Sequence, residues 1–273
     1  MTETSPAGLG ICTAALLADP MGADADAVRA AAQAARAAGF TQASVWLQHL
    51  DAVEQAGLRV AVVEAAVSWA NADRAAAEAE AGRLVAAAER LDASTIMAVC
   101  FEPHLSDLDA ARDNLGVLVG RAGEVGARVC VEFLPWTGIP DLATAWDLVE
   151  PLGPGCGIIL DTWHWVRQPG GPAPDVLAGI PGERIGYVQL CDAAAEPAPD
   201  PFTEAMTGRL LPGDENGVVD FAELSTGLAA IGATPFVAAE VLNPALVTEL
   251  GATAAAAAIR DACARLPRLV PPT

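Results

Sequence analysis

Residues 157–164 read GIILDTWH, and this stretch decides the fold. Its first four residues are apolar or small, as in a buried strand, and the run ends in the carboxylate of Asp161. His164 follows three positions later. A carboxylate at the end of an apolar strand is costly to bury unless something uses its charge. The stretch therefore predicts a strand that delivers an acid to a functional site.

Three further apolar runs also end in an oxygen-bearing side chain. They are residues 129–132, 185–189 and 236–240, and they end in Glu132, Gln189 and Glu240. Apolar strand-like runs and helical patterns alternate along the rest of the chain. Strands are predicted at residues 9–12, 43–47, 60–64, 95–100, 129–132, 157–161, 185–190 and 236–241. Helices are predicted at residues 24–38, 51–56, 72–91, 108–125, 141–149, 174–178, 220–231 and 248–266.

Eight strand–helix units in series are typical of an α/β fold, the (β/α)8 or TIM barrel. We expect a single domain over residues 1–273, with a frayed tail at residues 267–273 and an active-site loop at residues 193–201. A doubly wound open sheet is the alternative. It is disfavoured because no G-x-G-x-x-G fingerprint follows the first strand.

Composition excludes several classes of function. The net charge of −20 repels phosphate backbones, which disfavours nucleic-acid binding. All 15 basic residues are arginine, and without lysine there can be no Schiff-base aldolase, pyridoxal phosphate site or P-loop. No long apolar run and no basic leader are present, so we expect no membrane span, no signal peptide and a cytoplasmic protein. The six scattered cysteines are expected to be buried and reduced.

In a barrel, the carboxyl ends of all strands open onto one face. Glu132, Asp161, Gln189 and Glu240 would then lie on neighbouring strands, the fifth to the eighth. Crowded carboxylates raise one another's pKa, and a divalent cation relieves that repulsion. A set of oxygen ligands favours Mn²⁺ or Mg²⁺ over zinc. The alternative for each acid is a helix cap or a surface position.

Five runs also carry a resemblance to a known group, namely VEFLPW, GIILDTWHW, YVQLCDA, RLLPGDENG and VAAEVL. They resemble the sugar isomerase/epimerase superfamily of xylose-isomerase-like barrels, which includes keto-sugar 3-epimerases, hydroxypyruvate isomerase, keto-inositol dehydratase and 3-dehydroshikimate dehydratase. The resemblance covers nearly the whole barrel and is most specific over residues 129–242. Endonuclease IV shares this fold, but three histidines in all and the acidic charge disfavour its histidine-rich, DNA-binding site.

The resemblance implies roles for individual residues. It implies that Glu132, Asp161, Gln189 and Glu240 bind one divalent metal, and that Glu132 and Glu240 also act as the catalytic acid/base pair. It further implies that His164 and Arg209 bind substrate. The departure is Gln189, where the epimerases usually have histidine. A neutral amide oxygen is a weaker ligand than imidazole, so metal affinity and the usual substrate are both put in question.

Tryptophans close to predicted strand ends are further candidates for substrate binding. Trp46, Trp136 and Trp163 could line a sugar-binding mouth by stacking on C–H faces, or could pack in the core. Glu64 and Glu102, after the third and fourth strands, could orient hydroxyl groups, although a structural role is favoured for both.

Three other polar residues are weighed in the same way. His49 and His104 are expected to be solvated. Asp192, three residues after Gln189, could brace a metal ligand or cap a loop.

These patterns favour a metal-dependent isomerase or epimerase that acts through an enediolate on a small polyhydroxy-carbonyl compound. Arg167 and Arg209 are the only basic residues expected near the mouth. So few positive charges disfavour a phosphorylated substrate. A lyase of the same superfamily, which would release water, and a non-catalytic ligand-binding barrel remain open. Alanine-rich helices could support a homodimer.

Overall fold

Eight parallel strands follow one another in chain order around a closed barrel. The structure is a computed structural model that describes residues 8–71 and 73–266. The predicted tail at residues 267–273 lies outside these ranges, as does Ala72, the predicted start of the third helix. The strands are β1 (Gly10–Cys12), β2 (Gln42–Trp46), β3 (Arg59–Ala66), β4 (Thr95–Val99), β5 (Arg128–Glu132), β6 (Cys156–Asp161), β7 (Ile185–Leu190) and β8 (Phe236–Ala239). The predicted TIM barrel is confirmed.

Helices surround the barrel. They are α1 (Ala25–Ala37), α2 (Leu50–Gln55), α3 (Arg74–Leu91), α4 (Leu108–Glu124), α5 (Leu142–Val149), α6 (Thr162–Arg167), α7 (Pro174–Ala178), α8 (Pro201–Thr207), α9 (Phe221–Ala230) and α10 (Pro244–Ala264). Helices α6 and α8 were not predicted, although α2 and α7, which are just as short, were. Helices of five to seven residues do not show an amphipathic period and are recognised only from other signals. Helices α6 and α8 nevertheless carry a start signal, the capping aspartates Asp161 and Asp200.

Aspartate begins most of the helices. In the described part of the chain, an aspartate at the N-cap accepts a hydrogen bond from a first-turn backbone N–H in seven helices: Asp24, Asp73, Asp107, Asp141, Asp161, Asp200 and Asp220. A carboxylate at this position satisfies an unpaired N–H and faces the positive end of the helix dipole. Part of the acidic charge of the chain is therefore used to start helices.

The alternation of side chains along each strand brings the acids into the mouth of the barrel. One inner cluster fills the barrel, with Cys130, Ile159, Tyr187 and Ala238 among its members. The residue two positions later on a strand points to the same face. Those residues are Glu132, Asp161, Gln189 and Glu240, and all four are buried. Asp161 pairs in register with Gln189, which places these two side chains at the same height.

Several smaller expectations can be compared with the structure. All six cysteines are buried and free, as predicted. The prediction for His49 is wrong: its ring is buried and stacks on Trp46 at 5.6 Å between centroids, because a short 3-10 helix after β2 turns it inward. His104 is exposed, as predicted. Within the described ranges, the structure has no helix with the length and apolar character needed to cross a membrane.

Candidate active site

A cavity of about 450 Å³ opens at the carboxyl ends of the strands. Its floor carries five polar side chains, Glu64, Glu132, His164, Arg209 and Glu240, and its wall includes Trp46 and Trp136. The structure therefore brings six of the predicted site residues to one cavity: Glu132, Glu240, His164, Arg209, Trp46 and Trp136. The other three, Asp161, Gln189 and Trp163, are fully buried and do not line it.

Arg209 holds two of the predicted metal ligands together. Its Nη1 donates to Asp161 Oδ2 at 2.6 Å and to Glu240 Oε2 at 3.0 Å, while its Nε donates to the carbonyl oxygen of Ala205 at 2.7 Å. The guanidinium is buried, and so are both carboxyl groups. A buried charge is tolerated when it is paired and hydrogen bonded in this way. Arg209 thus supplies positive charge where the sequence predicts a metal between acids.

The two acids bound to Arg209 differ in proton affinity. Burial raises the pKa of Asp161, but the charge of Arg209 overcomes this effect and leaves the pKa below its ordinary value. Burial raises the pKa of Glu240 well above its ordinary value, and Arg209 offsets this only in part because Glu64 and Glu132 add repulsion. The site therefore pairs an aspartate that loses its proton more readily than usual with a glutamate that holds its proton more tightly than usual.

Glu132 and His164 form a second pair on the floor. His164 Nε2 lies 3.4 Å from Glu132 Oε1, and the His164 backbone N–H donates to Asp161 Oδ1 at 2.9 Å. The same aspartate therefore begins α6 and fixes where the imidazole projects. Glu132 Oε1 and His164 Nδ1 are buried without a hydrogen-bond partner in the protein. Such atoms are available to a ligand, because an unpaired buried polar atom is costly.

The buried donor set fits one divalent cation. Ligand atoms of Glu132, Asp161 and His164 lie within 4.8 Å of one another, and the side-chain amide of Gln189 has no hydrogen-bond partner on either atom although it is fully buried. Glu240, the fourth predicted ligand, lies in a separate group of the same kind with Cys12 and Glu64. The nitrogen donor of this set is therefore His164, which lies on α6, whereas β7 contributes the amide of Gln189.

Glu64, for which the sequence favours a structural role, lies on the floor of the same cavity. It ends an apolar run in β3, the same design as Glu132 and Asp161, and it is buried with Oε1 unpartnered. Burial raises its pKa to about 7; hydrogen bonds from the side chains of Ser44 and Trp46 oppose this rise and the charge of Glu132 adds to it. Ser44 in turn accepts a hydrogen bond from Tyr187 at 2.8 Å. A carboxyl group with this pKa can gain or lose a proton at neutral pH.

Trp163 and Asp192 support the site from behind. Trp163 Nε1 donates to Glu204 at 3.2 Å, and Arg167 Nη2 donates to the same carboxylate at 2.6 Å, which ties α8 to α6. The placement of Trp163 outside the cavity gives no support to its predicted stacking on substrate. Asp192 accepts hydrogen bonds from four backbone N–H groups in its own and the following loop, so of its two predicted roles the structure favours loop capping.

Comparison with curated proteins gives a match to part of this chain. A 3-dehydroshikimate dehydratase of Pseudomonas putida is 30% identical over 141 residues, which is 51% of this chain and 21% of that protein. The chain therefore spans about a fifth of the length of this curated relative.

Solved structures of the same fold cover nearly the whole chain. The IolI protein with a bound zinc atom superimposes with a TM-score of 0.79 at 18% identity, covering 95% of this chain and 97% of that one. D-allulose 3-epimerase of Methylomonas sp. superimposes with a TM-score of 0.69 at 18% identity, covering 97% and 99%. At these identities the likeness shows the fold alone. The family model of the xylose isomerase-like TIM barrel matches residues 10–268, and the chain belongs to that family.

Proposed function

We propose that this protein is an isomerase or epimerase that moves a proton at a carbon beside a carbonyl group, in a small unphosphorylated hydroxy-carbonyl compound. The observation that carries the proposal is the convergence of the carboxyl groups of Glu64, Glu132 and Glu240 on one cavity floor, beside His164 and Arg209. An enediolate intermediate requires a base to remove the C–H proton and an acid to return one.

Glu132 and Glu240 are the residues that we assign to this proton transfer. Glu132 Oε1 has no hydrogen-bond partner in the protein, so it can accept a proton from substrate. Burial raises the pKa of Glu240, which favours its protonated form and suits it to donate a proton. Glu132 ends β5 and Glu240 directly follows β8, three strands further around the barrel, so the two would reach the substrate from different sides. Their roles exchange when the reaction runs in reverse.

His164 and Arg209 would hold the oxygen atoms of the substrate. His164 lies beside Glu132 with Nδ1 unpartnered, and Arg209 keeps its charge because it is paired with two acids. A divalent cation held by Glu132, Asp161, His164 and the amide oxygen of Gln189 would act as a Lewis acid that makes the neighbouring C–H more acidic. The nitrogen donor in this set widens the choice of metal beyond Mn²⁺ and Mg²⁺ to include zinc.

Dehydration is the second candidate, and the curated relative supports it. That relative is a 3-dehydroshikimate dehydratase. Loss of a hydroxyl group at the β-carbon begins with the same proton removal, and the raised pKa of Glu240 suits it to give a proton to the departing oxygen. The two candidates differ in product: dehydration releases water and leaves a C=C bond conjugated to the carbonyl group.

The experiment is proton exchange in D₂O, followed by proton NMR on a panel of small hydroxy-ketones. We expect the wild-type protein to replace the C–H proton beside the carbonyl by deuterium. Glu132→Gln and Glu240→Gln should each slow this exchange at least 100-fold on the face of the substrate that the lost carboxyl group serves. Glu102→Gln is the matched control, because Glu102 is exposed and outside the cavity. An isomer as product supports the first candidate, and an ultraviolet-absorbing enone supports the second. Binding without exchange would leave a non-catalytic ligand-binding barrel.

A further inference from the structure

The upper wall of the active-site cavity differs chemically from its floor. The floor carries charged and titratable groups, whereas the wall is built from alanine, valine, leucine, methionine, phenylalanine and tryptophan side chains. Apart from tryptophan N–H groups, Gln48 is the one wall residue with a polar side chain in the described part of the chain. A sugar needs a hydrogen-bond partner for each hydroxyl that it buries. The wall offers hydrogen-bond partners to very few hydroxyl groups.

Exposed apolar side chains gather at the mouth of this cavity. Seven large apolar side chains are exposed in the described ranges, and four of them line the mouth. These four are Met21, Val67, Phe101 and Phe202, which are 76%, 37%, 55% and 49% exposed. They come from four separate segments, the loops after β1, β3 and β4 and the helix α8 that follows β7, so no single amphipathic element accounts for the cluster. A cluster of this kind marks a binding surface.

Contacts with neighbouring aromatic rings hold the Phe202 side chain in place. The Phe202 ring meets the Trp136 ring edge-on, with 6.0 Å between centroids, and Trp136 meets Trp163 at 6.0 Å. Phe202 also shares α8 with Glu204, which accepts hydrogen bonds from Trp163 and Arg167. These contacts connect the aromatic wall to α6, which also carries His164 of the polar floor. A ligand that contacts both wall and floor must be apolar at one end and polar at the other.

We propose that the substrate is a hydroxy-ketone whose body is an aromatic ring, with the hydroxy-ketone end on the floor and the ring against Trp136, Phe202 and Phe101. This inference rests on the proposed function, since that function places the hydroxy-ketone on the floor. The cavity volume of about 450 Å³ is in the range of roughly 300–1,000 Å³ typical of pockets for larger organic ligands. Aromatic rings offer a flat substrate ring both contact area and stacking geometry.

The test compares three probes, 2-hydroxy-1-phenylethanone, hydroxyacetone and D-fructose, in calorimetric binding and in D₂O exchange. The first two have the same hydroxy-ketone group, but the first carries a phenyl group where hydroxyacetone carries a methyl group. We expect the phenyl ketone to bind at least tenfold more tightly than either of the others, in line with the transfer free energy of a buried ring. Phe202→Ser should reduce that preference about fivefold or more, as should Phe101→Ser. Leu250→Ser, an exposed leucine on α10 outside the cavity, is the control and should preserve it.

Each outcome separates this inference from the proposed function. Equal binding of the three probes, or a preference for D-fructose, overturns the ring-bearing substrate even if exchange occurs. Tight binding of the phenyl ketone without exchange of any probe supports the ring-binding wall and contradicts the proposed function. Sedimentation of the wild type as a dimer that Phe202→Ser dissociates would assign the apolar mouth to a second copy of the chain and overturn the inference. Circular dichroism melting of each variant checks that the fold is retained.

Discussion

Replacing Glu64 by glutamine should make the protein more stable, and increasingly so as pH rises. Glu64 is buried, and its folded-state pKa of about 7 lies above the unfolded value of 4.5. A group with a raised folded pKa binds more protons in the folded state, so its contribution to stability is lost as pH rises from the unfolded toward the folded pKa. At about 1.36 kcal/mol per pKa unit, this raised pKa lowers the free energy of unfolding by about 1 kcal/mol at pH 5 and about 3 kcal/mol at pH 8, relative to a side chain that does not titrate.

Glutamine keeps the shape of the side chain and an oxygen that can accept from Ser44 and Trp46, but it does not titrate. The free energy of unfolding of Glu64→Gln relative to wild type should therefore rise by about 2 kcal/mol between pH 5 and pH 8. Urea titrations at the two pH values, in the presence of EDTA, measure this difference. Glu102→Gln, at an exposed position, is the control. A difference between variant and wild type that does not change with pH would refute the assignment of Glu64 as a buried carboxyl group titrating near neutrality.

Three other predictions concern buried charge, metal and thiols. Arg209→Met should lower the free energy of unfolding by about 3–5 kcal/mol, because it leaves Asp161 and Glu240 buried without their cation. That loss should be larger at pH 8 than at pH 5, since the folded-state pKa of both acids rises; urea titrations yielding equal losses would contradict the pairing. Elemental mass spectrometry after dialysis should find one divalent cation per chain in wild type and none in Glu132→Gln, and retention of the metal in that variant would exclude Glu132 as a ligand. The six buried thiols should react with Ellman's reagent only after denaturation, and rapid reaction of the native protein would contradict their burial.

The strands and their acids could be predicted because each obeys a local rule. Apolar runs of four to eight residues are visible in sequence, and an acid at the end of such a run stands out. The barrel topology then follows from the regular alternation of strands and helices. β7 has its predicted bounds of Ile185–Leu190. At β3 the strand runs two residues further than predicted, to Ala66, so Glu64 lies within the strand and not at its end.

The pairing within the site depends on contacts between distant parts of the chain. Asp161 and Arg209 are separated by 48 residues, and no local pattern shows that one guanidinium bridges Asp161 and Glu240. The burial of His49 and the anchoring of α8 through Glu204 depend likewise on tertiary packing. A helix as short as α8 has no detectable period, so Phe202 could not be placed at the mouth from sequence.

Proton exchange of the two enantiomers of 3-hydroxybutan-2-one in D₂O, at saturating concentration, tests the two-carboxyl site most directly. Each enantiomer presents its C–H proton from one side, so each relies on a different carboxyl group as base. We expect wild type to exchange both enantiomers, Glu132→Gln to lose exchange of one, and Glu240→Gln to lose exchange of the other. Absence of exchange in wild type, or exchange at the wild-type rate in both variants, would contradict the assignment of these two glutamates as the acid and base of the site.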